Sequence, residues 1–325
     1  MNLIGILAGP WAIQPSKLLE IKGIYDMHAR GEKVDIAAVE KQLGKKLHNE
    51  PASYTVRDGV AVLPIDGVIA KRMNMFTQIS GGTSTQLAAL ALQNAINDPA
   101  VHSIVLSIDS PGGTVDGTQA LANEVYKART SGKALVTLAS GCMCSAAYWI
   151  GSAAQAAYIA DETTLVGSIG VVASHTDVSG AQAAQGLKTT EISAGKYKRI
   201  ASEYGPLSAD GRQSIQDSLD YTYSLFVSAV AKNRNATAAT VQRDMADGRV
   251  FIGKQAVDAG LVDGIVTLDA LIARLNSDRK AGRTLQPPKA VALTRADIDQ
   301  AAKSLMKLHP GLDYIAAVKR ISPSA

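Results

Sequence analysis

The chain is poor in cysteine and in aromatic residues, and each shortage excludes a class of protein. Its 325 residues include two cysteines, Cys142 and Cys144, which lie too close together for an easy disulfide and are too few for a structural zinc site. Aromatic residues make up 5% of the chain, so small and aliphatic side chains must fill the interior. No stretch approaches the roughly 18 apolar residues of a membrane-spanning helix. We therefore expect a soluble, cytoplasmic protein without disulfides, metal or cofactor.

The two ends of the chain carry unusual compositions. The apolar start has no basic region, and Gly5, Gly9 and Pro10 interrupt it early, which argues against a signal peptide. Residues 279–325 contain nine Lys or Arg and three Asp. Such a basic tail can bind nucleic acid or an acidic partner, but the pattern favours a solvated helix face.

Three zones can be separated by composition. Residues 1–56 are predicted as a helical N-terminal extension, and residues 276–325 as a linker followed by a basic helical tail. Residues 57–275 alternate strand-like and helix-like segments. This alternation predicts an α/β fold of repeated strand–helix units around a largely parallel sheet.

Hydrophobic periodicity places the individual elements of the middle zone. The predicted strands cover 60–65, 104–108, 134–138, 157–160 and 187–192, and the predicted helices cover 84–96, 116–129 and 145–154. A longer helix begins at Ser208 and carries an apolar stripe that we interpret as core, formed by Ile215, Leu219, Tyr223, Phe226 and Val230.

A glycine pair follows the second predicted strand, in the segment DSPGGTVDG. Gly112 and Gly113 permit backbone conformations that are closed to other residues. Backbone N–H groups at such a position can hold a phosphate or the oxyanion of an acyl-transfer intermediate. A plain turn explains the motif equally well. Neither the dinucleotide-binding spacing nor a Walker lysine is present, so the segment is not a nucleotide fingerprint.

A serine starts the next predicted helix, in the segment ASGCMCSAAYWIGSAA. Ser145 would lie at the helix N-terminus, where unpaired N–H groups and the helix dipole favour negative charge. The N–H of Ala146 would then be a nearby oxyanion donor. Taken alone, the segment fits better with Ser145 as an ordinary N-cap.

A serine nucleophile needs a base, and none of the five histidines is well placed by its context. A lysine can serve if burial lowers its pKa towards neutrality. Lys196 and Lys198, in ISAGKYKRIASEYGPLS, qualify by type, although most lysines are solvated. Cys144 working with His175 is an alternative nucleophile.

Taken together, these three segments resemble the signal-peptide-peptidase family of serine proteases, which has the Clp-protease/crotonase fold. The segments VAVLPIDGVI, VGSIGVV and DGRVFIGKQAVDAGLVDGI resemble further blocks of that family and occur in its order. The resemblance covers about residues 57–275. It implies an endopeptidase without a cofactor.

The resemblance also implies a role for each site residue. Ser145 is the expected nucleophile and Lys198 its general base, which is preferred to Lys196 by its place in the family block. The backbone N–H groups of Gly112, Gly113 and Ala146 are the expected oxyanion donors. Ser168, in the GSIG block, is expected to hydrogen-bond the lysine and orient it.

The N-terminal extension with PWAI, residues 10–13, resembles the head-maturation proteases of tailed phages. The implied substrates are scaffold, portal or capsid proteins inside the procapsid, and the implied assembly is a homo-oligomeric ring. A soluble cellular peptide-degrading protease is the alternative within the family. Outside proteolysis, a crotonase-like acyl-thioester enzyme and a catalytically inactive assembly scaffold remain open.

Overall fold

A computed structural model describes residues 10–15, 17–19, 22, 54–72, 82–283, 285, 299, 302–303, 306, 311 and 313–321. Its strands are β1 (Trp11–Ile13), β2 (Thr55–Arg57), β3 (Val60–Ala70), β4 (Gly82–Ser84), β5 (Ser103–Thr114), β6 (Ala134–Cys144), β7 (Ala156–Ile159), β8 (Leu165–Gly167) and β9 (Val250–Ile252). Its helices are α1 (Thr85–Asn97), α2 (Thr118–Ala128), α3 (Ala146–Gly151), α4 (Ser179–Ala184), α5 (Ala209–Asn233), α6 (Ala238–Asp244), α7 (Lys254–Asp258), α8 (Leu268–Lys280) and α9 (Tyr314–Ile321).

The nine strands form one sheet in which parallel pairing predominates. The main path runs β2-β3-β5-β6-β8-β9, with β4 beside β3, β7 beside β6 and β1 beside β5. The central pairs β3–β5 and β5–β6 are parallel, whereas β1–β5, β2–β3 and β8–β9 are antiparallel. The predicted α/β class with a largely parallel sheet is confirmed.

Two apolar layers cover the two faces of the sheet, which explains why the central strands read as nearly continuous apolar runs. The larger layer packs α1, α2, α3 and α5 against β3, β5 and β6, and the smaller one packs α8 against the other face. Trp149 of α3 stacks on Phe226 of α5 with ring centroids 4.5 Å apart. This contact anchors the short helix that follows Ser145. No helix within the described residues is both long enough and apolar enough to span a bilayer.

Two sequence-based expectations differ from the structure, the first entirely and the second in part. The predicted strand at 187–192 is wrong: the segment is irregular, and Ile192 is 96% exposed because no neighbouring strand pairs with it. The predicted core stripe of α5 is confirmed for Phe226 and Val230, which are buried, and for Tyr223, which is partly buried and packs against the core, whereas Leu219 lines an open groove.

The remaining expectations about the two ends are tested only in part. Most of the extension, residues 1–56, lies outside the described residues, apart from β1, β2 and a few neighbours. Within the tail, α9 forms at Tyr314–Ile321. The domain boundaries themselves stay a prediction.

The Phe226→Leu substitution is expected to lower the free energy of unfolding by about 1–2 kcal/mol, because it removes the stacked ring and leaves a small cavity beside Trp149. Denaturant-induced unfolding measures the change. Tyr221→Leu is the matched control on the same helix, since Tyr221 is 66% exposed and its loss is expected to change stability by less than about 0.5 kcal/mol. Equal losses in the two variants would contradict the prediction.

Candidate active site

Ser145 occupies a strained turn between β6 and α3. Its backbone angles are φ 55° and ψ −118°, a conformation that costs free energy in any residue with a side chain. The Ser145 N–H donates to the Gly167 carbonyl at 2.7 Å, and the N–H of Trp149 donates to the Ser145 carbonyl at 2.9 Å. These bonds hold the turn in place. A serine on a strained strand-to-helix turn is typical of nucleophiles in hydrolases.

The side chain of Ser145 does not act as a helix cap in the described structure, although the residue stands at the N-cap position of α3. Its Oγ lies 3.5 Å from the Gly170 carbonyl, which is a long and weak contact. The ordinary capping interpretation is therefore not supported. The hydroxyl stays available for chemistry.

The glycine pair lies inside β5, not in a plain turn after it. Gly112 has φ 107°, and a Cβ there would meet the Ala12 carbonyl oxygen at 2.3 Å and Cβ of Ser145 at 3.0 Å. A Cβ on Gly113 would lie 1.8 Å from the Ile69 carbonyl oxygen. Only glycine fits at either position, because the backbones on both sides approach so closely. This close approach brings Gly112 directly beside the expected nucleophile.

Residues 167–172 form the second wall of the site. Ser168 follows the carbonyl that accepts from Ser145, has φ 50°, and donates its N–H to the Arg249 carbonyl at 2.8 Å. Beyond it, a groove of about 450 Å³ is lined by Val171, Val172, Leu219, Asp220, Tyr223 and Asp247. The groove combines apolar walls with two carboxylates, and its lining includes Gly170, whose carbonyl lies 3.5 Å from Oγ of Ser145.

The expected base lies in a different environment from the expected nucleophile. Ser145 is 1% exposed, whereas the side chain of Lys198 is exposed and its backbone N–H donates to the Gly195 carbonyl. Among the described residues, no hydrogen bond joins Lys198 to Ser145 or Ser168. Lys196 forms an exposed ion pair with Asp210, with 3.6 Å between Nζ and Oδ2. The structure thus gathers the serine and the glycines but does not join the lysine to them.

The cysteine alternative finds little support in the geometry. Burial, reinforced by the neighbouring Cys142, raises the pKa of the Cys144 thiol far above its ordinary value. Burial and the nearby Asp109 likewise raise the pKa of Cys142 to about 12. Nε2 of His175 lies 2.8 Å from the Ser202 carbonyl. A thiolate at Cys144 is therefore disfavoured, and His175 is engaged by a different loop.

Sequence reasoning missed the strand β1 as part of this site. Trp11–Ile13 pairs with Gly112–Thr114 on one side and with Val172 on the other. Three apolar residues are too few for periodicity to predict a strand, so the sequence of this segment indicates only a resemblance to phage head-maturation proteases. The carbonyl of Gly170 had no distinguishing signal in the sequence.

Comparisons of the amino-acid sequence with known proteins identify a peptidase family. Residues 127–282 match peptidase family S49. The chain is 31% identical to capsid assembly protease C of Escherichia phage lambda, over 76% of this chain and 58% of that protein. It is also 31% identical to head-tail preconnector protein GP5 of Enterobacteria phage P21, over 70% of this chain and 46% of that protein.

A shorter relative is covered more completely. The chain is 30% identical to slr0021 of Synechocystis sp., a protein named provisionally as a protease, over 74% of this chain and 83% of that protein. By contrast, the chain spans only about half the length of the two phage proteins.

Proposed function

The chain belongs to peptidase family S49, and from this membership we propose that it is a serine endopeptidase with Ser145 as nucleophile and Lys198 as general base. The observation that carries the proposal is the strained turn at Ser145, which presents a hydroxyl at the start of α3 directly beside Gly112. The lysine assignment rests on the family block in which Lys198 lies.

The proposed reaction is acyl transfer followed by hydrolysis. Neutral Lys198 takes the proton of the Ser145 hydroxyl, and Oγ attacks the carbonyl carbon of the scissile peptide bond. N–H groups of Gly112, Gly113 and Ala146 stabilise the oxyanion of the tetrahedral intermediate. The lysinium then protonates the leaving amine, and water hydrolyses the ester on Ser145.

Oligomerisation is the step that we propose brings the two catalytic residues together. Lys198 lies on a surface segment that also exposes Leu187, Ile192 and Tyr197, so the segment offers apolar side chains to a partner. A neighbouring copy of the chain that packs on this segment would cover these side chains and deliver Lys198 to a buried Ser145. Ser168, beside the Ser145 turn, is then placed to hydrogen-bond the incoming lysine.

The proposed biological role is processing of phage head proteins. It is supported by the similarity to one protein named a capsid assembly protease and to another named a head-tail preconnector. We propose scaffold, portal or capsid proteins as the substrates, cleaved inside a procapsid in the host cytoplasm.

Fluorophosphonate labelling followed by intact-mass analysis tests the dyad. The wild-type assembly is expected to gain one probe per chain, and Ser145→Ala and Lys198→Ala are expected to gain none. Lys196→Ala is the matched control, since Lys196 is two residues away and pairs with Asp210 at the surface. It is expected to label like the wild type.

Different outcomes would redirect the assignment. Labelling that persists in Ser145→Ala would move the nucleophile to another residue. Labelling lost in Lys196→Ala but kept in Lys198→Ala would exchange the two lysines. An assembled wild type that never labels would favour the acyl-thioester or the scaffold function.

A further inference from the structure

The strand β1 lies beside Ser145, between β5 and Val172, and is hydrogen-bonded along both of its edges. Its register against β5 is antiparallel, with Trp11 opposite Thr114, Ala12 opposite Gly113 and Ile13 opposite Gly112. On the other edge, the Trp11 N–H donates to the Val172 carbonyl at 2.8 Å, and the Val172 N–H donates back at 2.9 Å.

Backbone hydrogen-bonding groups alternate between the two edges of a β-strand, and this alternation fixes the orientation of Ala12. Because both backbone groups of Trp11 face Val172, those of Ala12 face β5 and its glycine pair. The Gln14 N–H donates to the Pro111 carbonyl at 3.0 Å, which ties down the end of the strand. A short peptide segment thus bridges the two walls of the site.

The backbone of β1 lies close to Ser145 and Gly112. The Ala12 carbonyl oxygen and Cβ of Ser145 both lie next to the position that a Cβ of Gly112 would occupy, at 2.3 Å and 3.0 Å. Trp11, Ala12 and Ile13 are 3%, 0% and 3% exposed, and Ser145 is 1% exposed. A polypeptide that presents its own carbonyl to Ser145 needs this same space.

The pairing of β1 also has the form that an extended substrate would take. Strand addition between two edges uses main-chain hydrogen bonds, so any extended segment can replace another of different sequence. A segment of the same chain also acts at an effective concentration that its tether sets, whatever the amount of free peptide. It therefore excludes weak peptides and yields only to a substrate that binds well.

We propose that β1 is a built-in substrate mimic that fills the peptide-binding cleft and keeps the resting enzyme closed, an inference that rests on the proposed peptidase function. Displacement of β1 is then the step that admits a protein substrate to Ser145. Trp11 and Ile13 are buried, so displacement of β1 costs the free energy of exposing them, which an extended substrate bound in the same place would offset.

The Ala12→Pro variant tests this by loosening the strand. Proline removes the N–H that faces β5, so the open state becomes more populated. Fluorophosphonate labelling of Ser145 and cleavage of fluorescent casein are both expected to accelerate about tenfold, as the open fraction rises from about a tenth to most of the molecules. Leu19→Ala, an exposed position beyond β1, is the matched control and is expected to keep the wild-type rates.

A disulfide that fixes β1 in place tests the inference in the opposite sense, by preventing displacement of the strand. It remains decisive if Ala12→Pro fails to fold. Cα atoms of a hydrogen-bonded antiparallel pair lie about 5.5 Å apart, within disulfide reach, so Trp11→Cys with Val172→Cys can be oxidised across the cleft edge. Labelling and cleavage are expected to stop on oxidation and to return with dithiothreitol. The single Val172→Cys variant controls for oxidation of Cys142 and Cys144.

The outcomes separate the inference from its premise. An oxidised double variant that labels and cleaves at its reduced rate overturns the inference, and so does a folded Ala12→Pro variant no faster than wild type. Failure of the proposed function looks different: wild type, Ala12→Pro and the reduced double variant then all stay unlabelled, and the inference fails with it.

Discussion

Chains carrying Ser145→Ala and chains carrying Lys198→Ala are each expected to be inactive alone and to regain about a quarter of wild-type peptidase activity when they assemble together. Removing a serine nucleophile typically lowers turnover by a factor on the order of 10⁴–10⁶. Recovery from that level would be a large and unambiguous signal.

The expectation follows from the contrasting environments of the two residues. Ser145 is enclosed, whereas Lys198 lies in a segment, residues 183–199, that is exposed throughout. If each site takes its serine from one chain and its lysine from a neighbour, then random mixing leaves about one subunit interface in four with both an intact Ser145 and an intact Lys198. If both residues come from the same chain, no active site in the mixture is intact, because every chain lacks one of the two residues.

Co-expression with two affinity tags, followed by sequential purification, isolates the mixed assemblies for casein cleavage. The matched control combines Ser145→Ala with the double variant Ser145→Ala/Lys198→Ala, which contains no intact serine and must stay inactive. Mixed assemblies that contain both tags and remain inactive would show that the dyad forms within one chain.

The central sheet could be predicted from the sequence because its signals are local. Buried parallel strands read as apolar runs, so the segments that became β3, β5 and β6 were recognised without their partners. Short motifs predicted a helix start at Ser145 and a glycine pair after an apolar strand. The strained backbone at Ser145 and the position of the glycines inside β5 depend on contacts with distant residues and could not be predicted.

The features that could not be predicted from the sequence depend on partners that are distant along the chain or belong to another chain. Trp11–Ile13 is a strand only because Gly112–Thr114 and Val172 provide two edges, about 100 and 160 residues away in the sequence. The segment 187–192 has strand-like residues but no edge to join, so Ile192 stays exposed. The environment of Lys198 cannot be read from the sequence if a second chain completes it.

The Asp263→Ala substitution is expected to lower the free energy of unfolding by about 3–5 kcal/mol, because it leaves a buried guanidinium without its counterion. Nη1 and Nη2 of Arg234 donate to the two carboxylate oxygens of Asp263 at 2.9 and 2.8 Å, and Nε donates to the Gly260 carbonyl at 3.0 Å. The Arg234 side chain is 4% exposed. Burial acts to lower the pKa of Arg234, yet its hydrogen bonds to the Asp263 carboxylate hold that pKa above its ordinary value.

The same carboxylate also accepts the N–H of Ala157 at 2.7 Å, so its loss leaves a backbone donor of β7 unpaired as well. Denaturant-induced unfolding measures the effect, with Asp269→Ala as the matched control. Asp269 pairs with Arg57 at the surface, where the two side chains are 81% and 49% exposed, and its loss is expected to cost less than about 1 kcal/mol.

Replacing both buried partners, as in Arg234→Met/Asp263→Leu, is expected to recover part of the stability, since no charge is then left buried. A double variant less stable than Asp263→Ala would show instead that Arg234 contributes through its bond to Gly260 more than through the ion pair.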